Sequence, residues 1–498
     1  MKKYLKALAL SVCCVIGLTT VGFSAIPNDV NADNVVYTRD SAIANVEGVE
    51  LITGDYSAAI NASGSKYLYE SRNHKNLRDD DIGGTDLGIP FYNSKNDTMY
   101  ILYGDTYGTG RAETESGEDD SRNWRSSVMA ISKDYDLSDG LTYDGWWRGG
   151  SDQAEAVIEG KHLPTGGDTG TIKKGTERTK IPQGGIEVNG VVYIYYESIR
   201  NFGTAGTWRV NYQGVIKSTD NCQTFERVPD LTWFPDIDNH GDYAIYSAAE
   251  SWADATNTDV QSEDDITPQM LADAKAKIPN AEERNAPYFA QCYPVDGNDG
   301  YVYIFGRRAG RQHGIKVARV SYENIEKFDE HEYYTGNDKD GNPIWVKGLD
   351  GLKALDNDTV GYVLASGKDE PASNMSVMWN EYLGKWMLFY FRPAIFANGN
   401  GVQLYPPMVC FRLSDTVWGN YGELHEVMEG DFFTRQGSKN ASGFIGMDAD
   451  SSFTFSKELS FYAGFVHEKY QEQNGKVFYF IATIAGVYNS ALFKVTLN

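Results

Sequence analysis

Residues 98–106, TMYILYGDT, form a short aromatic and β-branched run placed directly after the turn signal Asn96-Asp97. Four other segments repeat it: VVYIYYESI (191–199), YVYIFGRRA (301–309), GKWMLFYFR (384–392) and VFYFIATIA (477–485). Asn189-Gly190, Asp299-Gly300 and Asn474-Gly475 supply turns before three of these, and Glu381-Tyr382-Leu383 leads into the other. The aligned aromatics Tyr100, Tyr193, Tyr303, Trp386 and Tyr479 recur at intervals of 93, 110, 83 and 93 residues. Five near-regular copies of a buried hairpin predict an all-β, five-bladed β-propeller with inserted loops. Radial closure protects the sheet edges of so long a β chain. A pair of β-sandwiches, the competing arrangement, gives no reason for hairpins to recur along the full length.

Aromatic residues make up 13% of the chain, which fits strands that fill a core and leaves some rings to stack on sugars. Ser218-Thr219-Asp220-Asn221-Cys222-Gln223-Thr224-Phe225 resembles the Asp-box turn of sialidase-like propellers, with Cys222 in place of Gly; that box is structural. Residues 250–285 break the β pattern with an acidic insertion. Within it, Thr267 as N-cap, Pro268 at the first helical position and Pro279 as a stop predict a short helix. The insertion is expected as a rim over a cleft or as a decorated surface loop.

The chain divides into a signal and processing region (1–32), a lead-in segment (33–70) and the propeller (71–498). Lys2, Lys3 and Lys6 precede an apolar run of signal-peptide length, with cleavage after Ala25 or before Asp33, so a secreted protein is expected. A lipoprotein is the alternative, since Cys13 follows Leu10-Ser11-Val12. No other stretch reaches the ~20 apolar residues of a membrane span. Beyond the signal, Cys222, Cys292 and Cys410 are odd in number and far apart, so neither a disulfide framework nor a Cys metal site is expected. A formal charge of −24 disfavours nucleic acid and anionic membranes and leaves neutral carbohydrate an easy partner. A monomer is expected.

In GIPFYNSKNDTMYILYGDTYG (88–108) a turn centred between Lys95 and Asn96 sets Asp86 opposite Asp105 in a regular register. Their Cβ atoms would then lie about 5 Å apart on one face. Like charges so close raise the pKa of one carboxyl, giving the unequal pair that glycoside hydrolysis uses. Each could instead bond backbone amides at a strand end, and a metal pair is a third possibility. No cofactor is required on this reading; a structural Ca²⁺ is possible, but no EF-hand-type loop indicates one.

Thr85-Asp86-Leu87-Gly88-Ile89-Pro90-Phe91, Tyr103-Gly104-Asp105-Thr106, Trp124-Arg125-Ser126 and Ile181-Pro182-Gln183-Gly184-Gly185-Ile186 occur in order. They are followed by Trp208-Arg209-Val210-Asn211-Tyr212, by Gly310-Arg311 ahead of Ala318-Arg319-Val320, and by Ser376-Val377 ahead of Gly384-Lys385-Trp386. This set resembles the family catalogued as domain of unknown function 4185, whose members are grouped as endo-D-arabinanases of glycoside hydrolase family 183. The resemblance covers most of residues 80–498. It implies a five-bladed hydrolase of α-linked D-arabinofuranose polymers with Asp86 and Asp105 as its acid pair. The chain departs from the family pattern before Ser376, where the nearest acids are Asp369 and Glu370, and in its acidic insertion.

The expected roles are Asp86 as base or nucleophile and Asp105 as partner acid, with the reverse open. Substrate contacts are expected from Trp124, Trp208 and His313 by stacking or hydrogen bonding, and from Arg125, Gln183, Asn211 and Arg308 to hydroxyls. Glu197, read as an exposed strand end, is a further acid candidate. Rival readings are a carbohydrate-binding propeller without catalysis, and a sialidase-like or L-arabinanase-like glycosidase.

Overall fold

A computed structural model describes residues 40–60, 66–70, 72–108, 123–161, 175–202, 208–236, 241–251, 260–310, 313–356, 359–364, 370–393, 395–396, 403–405, 407–429, 461–484 and 488–498. Five antiparallel sheets of four or five strands stand around one axis as the blades of a β-propeller. Their innermost strands are Leu87–Asn93, Thr179–Val188, Gln291–Asp296, Met375–Asn380 and Phe461–Glu472. Each touches the next, and the fifth touches the first, so the ring is closed. The candidate signal and processing region, 1–32, lies outside the described residues.

The five repeated segments are the second strands: Thr98–Tyr103, Val191–Asn201, Tyr301–Arg307, Lys385–Arg392 and Val477–Ile484. They read as nearly unbroken apolar runs because each lies between neighbouring blades and is covered on both faces. All six residues of Thr98–Tyr103 and all eight of Val477–Ile484 are buried. Asn189 and Gly190 take the positive φ values, 53° and 83°, that a two-residue hairpin turn demands.

Residues 33–70 contain the strand Ile43–Leu51, which pairs with Asn489–Leu497 from Ile43 opposite Leu497 to Leu51 opposite Ala491. The fifth blade therefore joins the two ends of the described chain. Asn498 N also donates to Ala42 O (3.1 Å).

The Asp-box-like segment folds around Asp220, which accepts from Gln223 N (3.1 Å), Thr224 N (3.0 Å), Thr224 Oγ1 (2.6 Å) and Ser218 Oγ (2.8 Å). Cys222 occupies the usual glycine position with φ of 63°. Within the acidic insertion, helix Pro268–Lys277 starts where Thr267 Oγ1 accepts from Met270 N (3.2 Å). It packs on a second helix, Gly241–Ala249, that the β-rich pattern had not announced. Thr267→Ala is expected to weaken the insertion helix by about 1 kcal/mol. Faster amide exchange confined to residues 268–277 would show it. Cys222, Cys292 and Cys410 are buried free thiols. No helix among the described residues is long and apolar enough to cross a membrane.

Candidate active site

Asp86 and Asp105 both lie where the first blade meets the hub, but the structure corrects their pairing. From Asn93 opposite Thr98 to Ile89 opposite Leu102 the two strands keep the expected register. It then slips, so that Leu87 faces Tyr103, and Gly104 N donates to Asp86 O (3.1 Å). Asp86 is therefore opposite Gly104, not Asp105. The slip is a bulge in which Leu87 and Gly88 adopt φ of 73° and 97°. For a leucine that conformation is strained and persists only when the surroundings over-determine it. Blade five does so: Leu87 N donates to Thr483 Oγ1 (2.8 Å) and Ser490 Oγ donates to Leu87 O (3.2 Å). A side chain at Gly88 is also excluded, since a Cβ there would lie 2.4 Å from Ile481 Cγ2.

The slip carries the Asp86 carboxylate over a residue without a side chain. A Cβ on Gly104 would sit 2.3 Å from Asp86 Oδ1. Gly104→Ala is therefore expected to push that carboxylate aside and lower activity about 100-fold, the scale of an ångström-sized misplacement. The melting temperature should change little, because the hub carboxylate is the atom in the way and Leu87 Cδ1, at 3.2 Å, has to give only slightly. Steady-state kinetics beside a thermal melt tests this.

Both acids are held by hydroxyl donors. Tyr462 OH donates to Asp86 Oδ2 (2.8 Å), and Thr179 Oγ1 donates to Asp105 Oδ1 (2.5 Å). Tyr488 joins the group: Thr85 N donates to its carbonyl (2.8 Å), and its ring meets Tyr107 edge-on at 5.7 Å. Burial, then the charges of Asp86 and Asp105 together with Tyr462 and Tyr107, hold the Tyr488 hydroxyl protonated far above its ordinary value. The site thus has two partly buried carboxylates, each held by a hydroxyl donor, with a buried phenol that feels the charge of both. This arrangement can stabilise positive charge and move protons.

The other expected contacts divide. Glu197 is not an exposed strand end. The strand continues to Asn201, and Glu197 is fully buried, accepting from Gln183 Nε2 (2.9 Å) and Gln291 Nε2 (2.5 Å). Gln183 thereby holds Glu197. Arg125 is also corrected: its buried guanidinium donates to the carbonyls of Asp80 (3.1 Å), Ala154 (2.8 Å) and Asp81 (2.5 Å), which makes it a loop clamp. Asn211 is fully buried and donates to Thr176 O (3.0 Å) and Ser198 Oγ (3.2 Å), so it too is structural. Trp124 is half-buried, and the Thr106–Arg125 bridge places it across from Tyr107, two residues along the chain from Asp105. Trp208 packs edge-on against Phe202 at 6.5 Å, and the Arg308 guanidinium lies 4.5 Å from the Tyr288 ring centre. His313 forms a bridge with Ala372.

Behind Thr179 lies a buried charge network. Glu177 Oε1 accepts from Lys180 Nζ (2.9 Å) and Lys161 N (2.9 Å), and Oε2 from Ser198 Oγ (2.7 Å). Lys161 Nζ in turn meets Glu250 at 2.5 Å. Sequence reasoning missed Thr179, Tyr462, Tyr488 and this network. Tyr462 had a usable signal, because it sits near the start of an innermost strand, as Asp86 sits just before one; the others had none. Among the described residues, no group of three or more His, Cys, Asp or Glu could hold a metal ion.

Fold and site together define a five-bladed propeller with a carboxylate pair at its hub. The chain belongs to the family described as domain of unknown function (DUF4185), whose model matches residues 71–494. No curated protein matches it significantly. Among solved structures it is similar to a candidate hydrolase from Bacteroides ovatus, at 10% identity and a TM-score of 0.45, covering 90% of this chain and 93% of that one. It is also similar to a Dyadobacter fermentans protein of unknown function, at 10% identity and a TM-score of 0.37, covering 92% and 100%. An α-L-arabinofuranosidase from Podospora anserina matches at 8% identity and a TM-score of 0.34, covering 92% and 98%.

Proposed function

We propose that the protein is a secreted glycoside hydrolase that cuts α-linked arabinofuranosyl polysaccharide, acting as an endo-D-arabinanase. The observation that carries this reading is the pair Asp86 and Asp105, held beside a strained bulge and both felt by Tyr488. Breaking a furanosidic bond passes through an oxocarbenium-like state, and flanking carboxylates stabilise its positive charge. Asp86 acts as base or nucleophile and Asp105 as its partner at the anomeric carbon. Trp124 supplies an aromatic wall for the sugar. The resemblance to glycoside hydrolase family 183 supports D-arabinan as the polymer, and the formal charge of −24 suits a neutral one. The basic start and apolar run before Ala25 support export.

The test is incubation with a panel of D- and L-arabinans, following new reducing ends and product sizes. Internal cleavage of D-arabinan is expected, giving a ladder of oligosaccharides. An intact polymer that the protein still binds would make it a carbohydrate-binding propeller instead.

A further inference from the structure

One acid near the hub is left unused. Glu159 lies on the connection that crosses from the first blade to the second, and it is partly exposed. Lys180 Nζ donates to its carbonyl (3.0 Å). The next residue, Gly160, runs against the start of the second blade's innermost strand: a Cβ there would lie 3.1 Å from Thr179 Cα and 3.0 Å from Lys180 N. Thr179 is the residue whose hydroxyl holds Asp105 (2.5 Å). The Glu159–Gly160 backbone therefore runs beside the contact that holds Asp105, on the wall between blades one and two. Its carboxyl makes no hydrogen bond or ion pair among the described residues. Asp86 and Asp105, by contrast, each accept a hydroxyl hydrogen bond.

We infer that Glu159 is the proton donor to the departing sugar oxygen, with Asp86 and Asp105 serving the anomeric carbon. This assignment rests on the hydrolase reading above and refines it. The bond from the anomeric carbon to the leaving oxygen breaks with its electron pair going to that oxygen, which takes the Glu159 proton. Over the full turnover a water oxygen bonds to the anomeric carbon and a water proton goes to the aspartate pair. The aspartate pair then releases that proton to solvent, and solvent returns one to Glu159. The charges facing Glu159 are Lys180, Glu155, Glu177 and Arg125. Burial is the largest influence on its carboxyl; Lys180 and Arg125 oppose it, Glu155 and Glu177 add to it, and the pKa is pushed up to about 7. A carboxyl so tuned still carries its proton near neutrality, as a general acid must.

The experiment compares wild type and Glu159→Gln on D-arabinan and on a dinitrophenyl oligoarabinofuranoside, whose leaving group needs no proton. The variant is expected to lose about 100- to 1,000-fold in kcat/KM on the polymer. It should stay within a few-fold of wild type on the dinitrophenyl substrate, which also shows that it folds. The alkaline limb of the polymer pH profile, falling near pH 7 in wild type, should vanish. Wild-type activity of Glu159→Gln on the polymer, or an equal loss on both substrates, would overturn the assignment while leaving the hydrolase reading intact. A wild-type protein that cleaves neither substrate would overturn the hydrolase reading, and this inference with it.

Discussion

Asp86→Asn and Asp105→Asn are each expected to reduce arabinan cleavage by about 1,000-fold, within the range spanned by groups that move protons or stabilise charge in the transition state. An amide keeps the shape but loses the negative charge that faces the anomeric carbon. Tyr462 OH and Thr179 Oγ1 can still donate to the amide oxygen, so the local hydrogen bonds survive. Thermal melts should therefore move little. With one of two adjacent charges gone, the Tyr488 hydroxyl should titrate at lower pH than in wild type, since both carboxylates hold its proton on. Full activity in both variants would place the chemistry elsewhere in the ring.

Glu177→Gln is expected to be the most destabilising single change, at about 3–5 kcal/mol, because it leaves the buried ammonium of Lys180 without its counter-charge. That is a large part of the ~5–15 kcal/mol that holds a folded domain together. Both side chains are shielded completely from water. The substitution also turns one acceptor oxygen into a donor facing Lys180 or Ser198. Burial pushes the Glu177 carboxyl up, but Lys180, Ser198 and the Lys161 amide outweigh it and hold the pKa below its ordinary 4.5. A depressed folded pKa contributes stability above the unfolded value and loses it as pH falls through the folded one. The gap between wild type and Glu177→Gln in denaturant titrations should thus be widest near neutrality and narrow below pH 4.5.

The architecture was legible because second strands are covered on both faces, so TMYILY and VFYFIATI advertise themselves by unbroken apolarity. Innermost strands hide better. Thr179–Val188 reads TKIPQGGIEV, whose proline, glutamine and glycines disguise a strand. The acid pair could be found in the sequence, but its register could not. Nothing local announces that Leu87 turns to positive φ, since the groups that enforce it, Thr483 and Ser490, come 396 and 403 residues later. Glu197 misled because the apolar run ends there while the strand goes on to Asn201, with buried polar partners replacing apolar ones. Tyr462, 376 residues from Asp86, belongs to the same long-range class.

The pairing of Ile43–Leu51 with Asn489–Leu497 also sets the order in which the molecule can be made. Until residue 497 has left the ribosome, Ile43–Leu51 lacks its full partner, and the fifth blade keeps an unpaired edge. The last pairing joins segments more than 400 residues apart, the kind of distant contact that slows folding. A translation product cut short before residue 489 would leave Ile43–Leu51 bare and prone to pair with another chain. Quality control of this protein therefore reduces to one question, whether Asn489–Leu497 has met Ile43–Leu51.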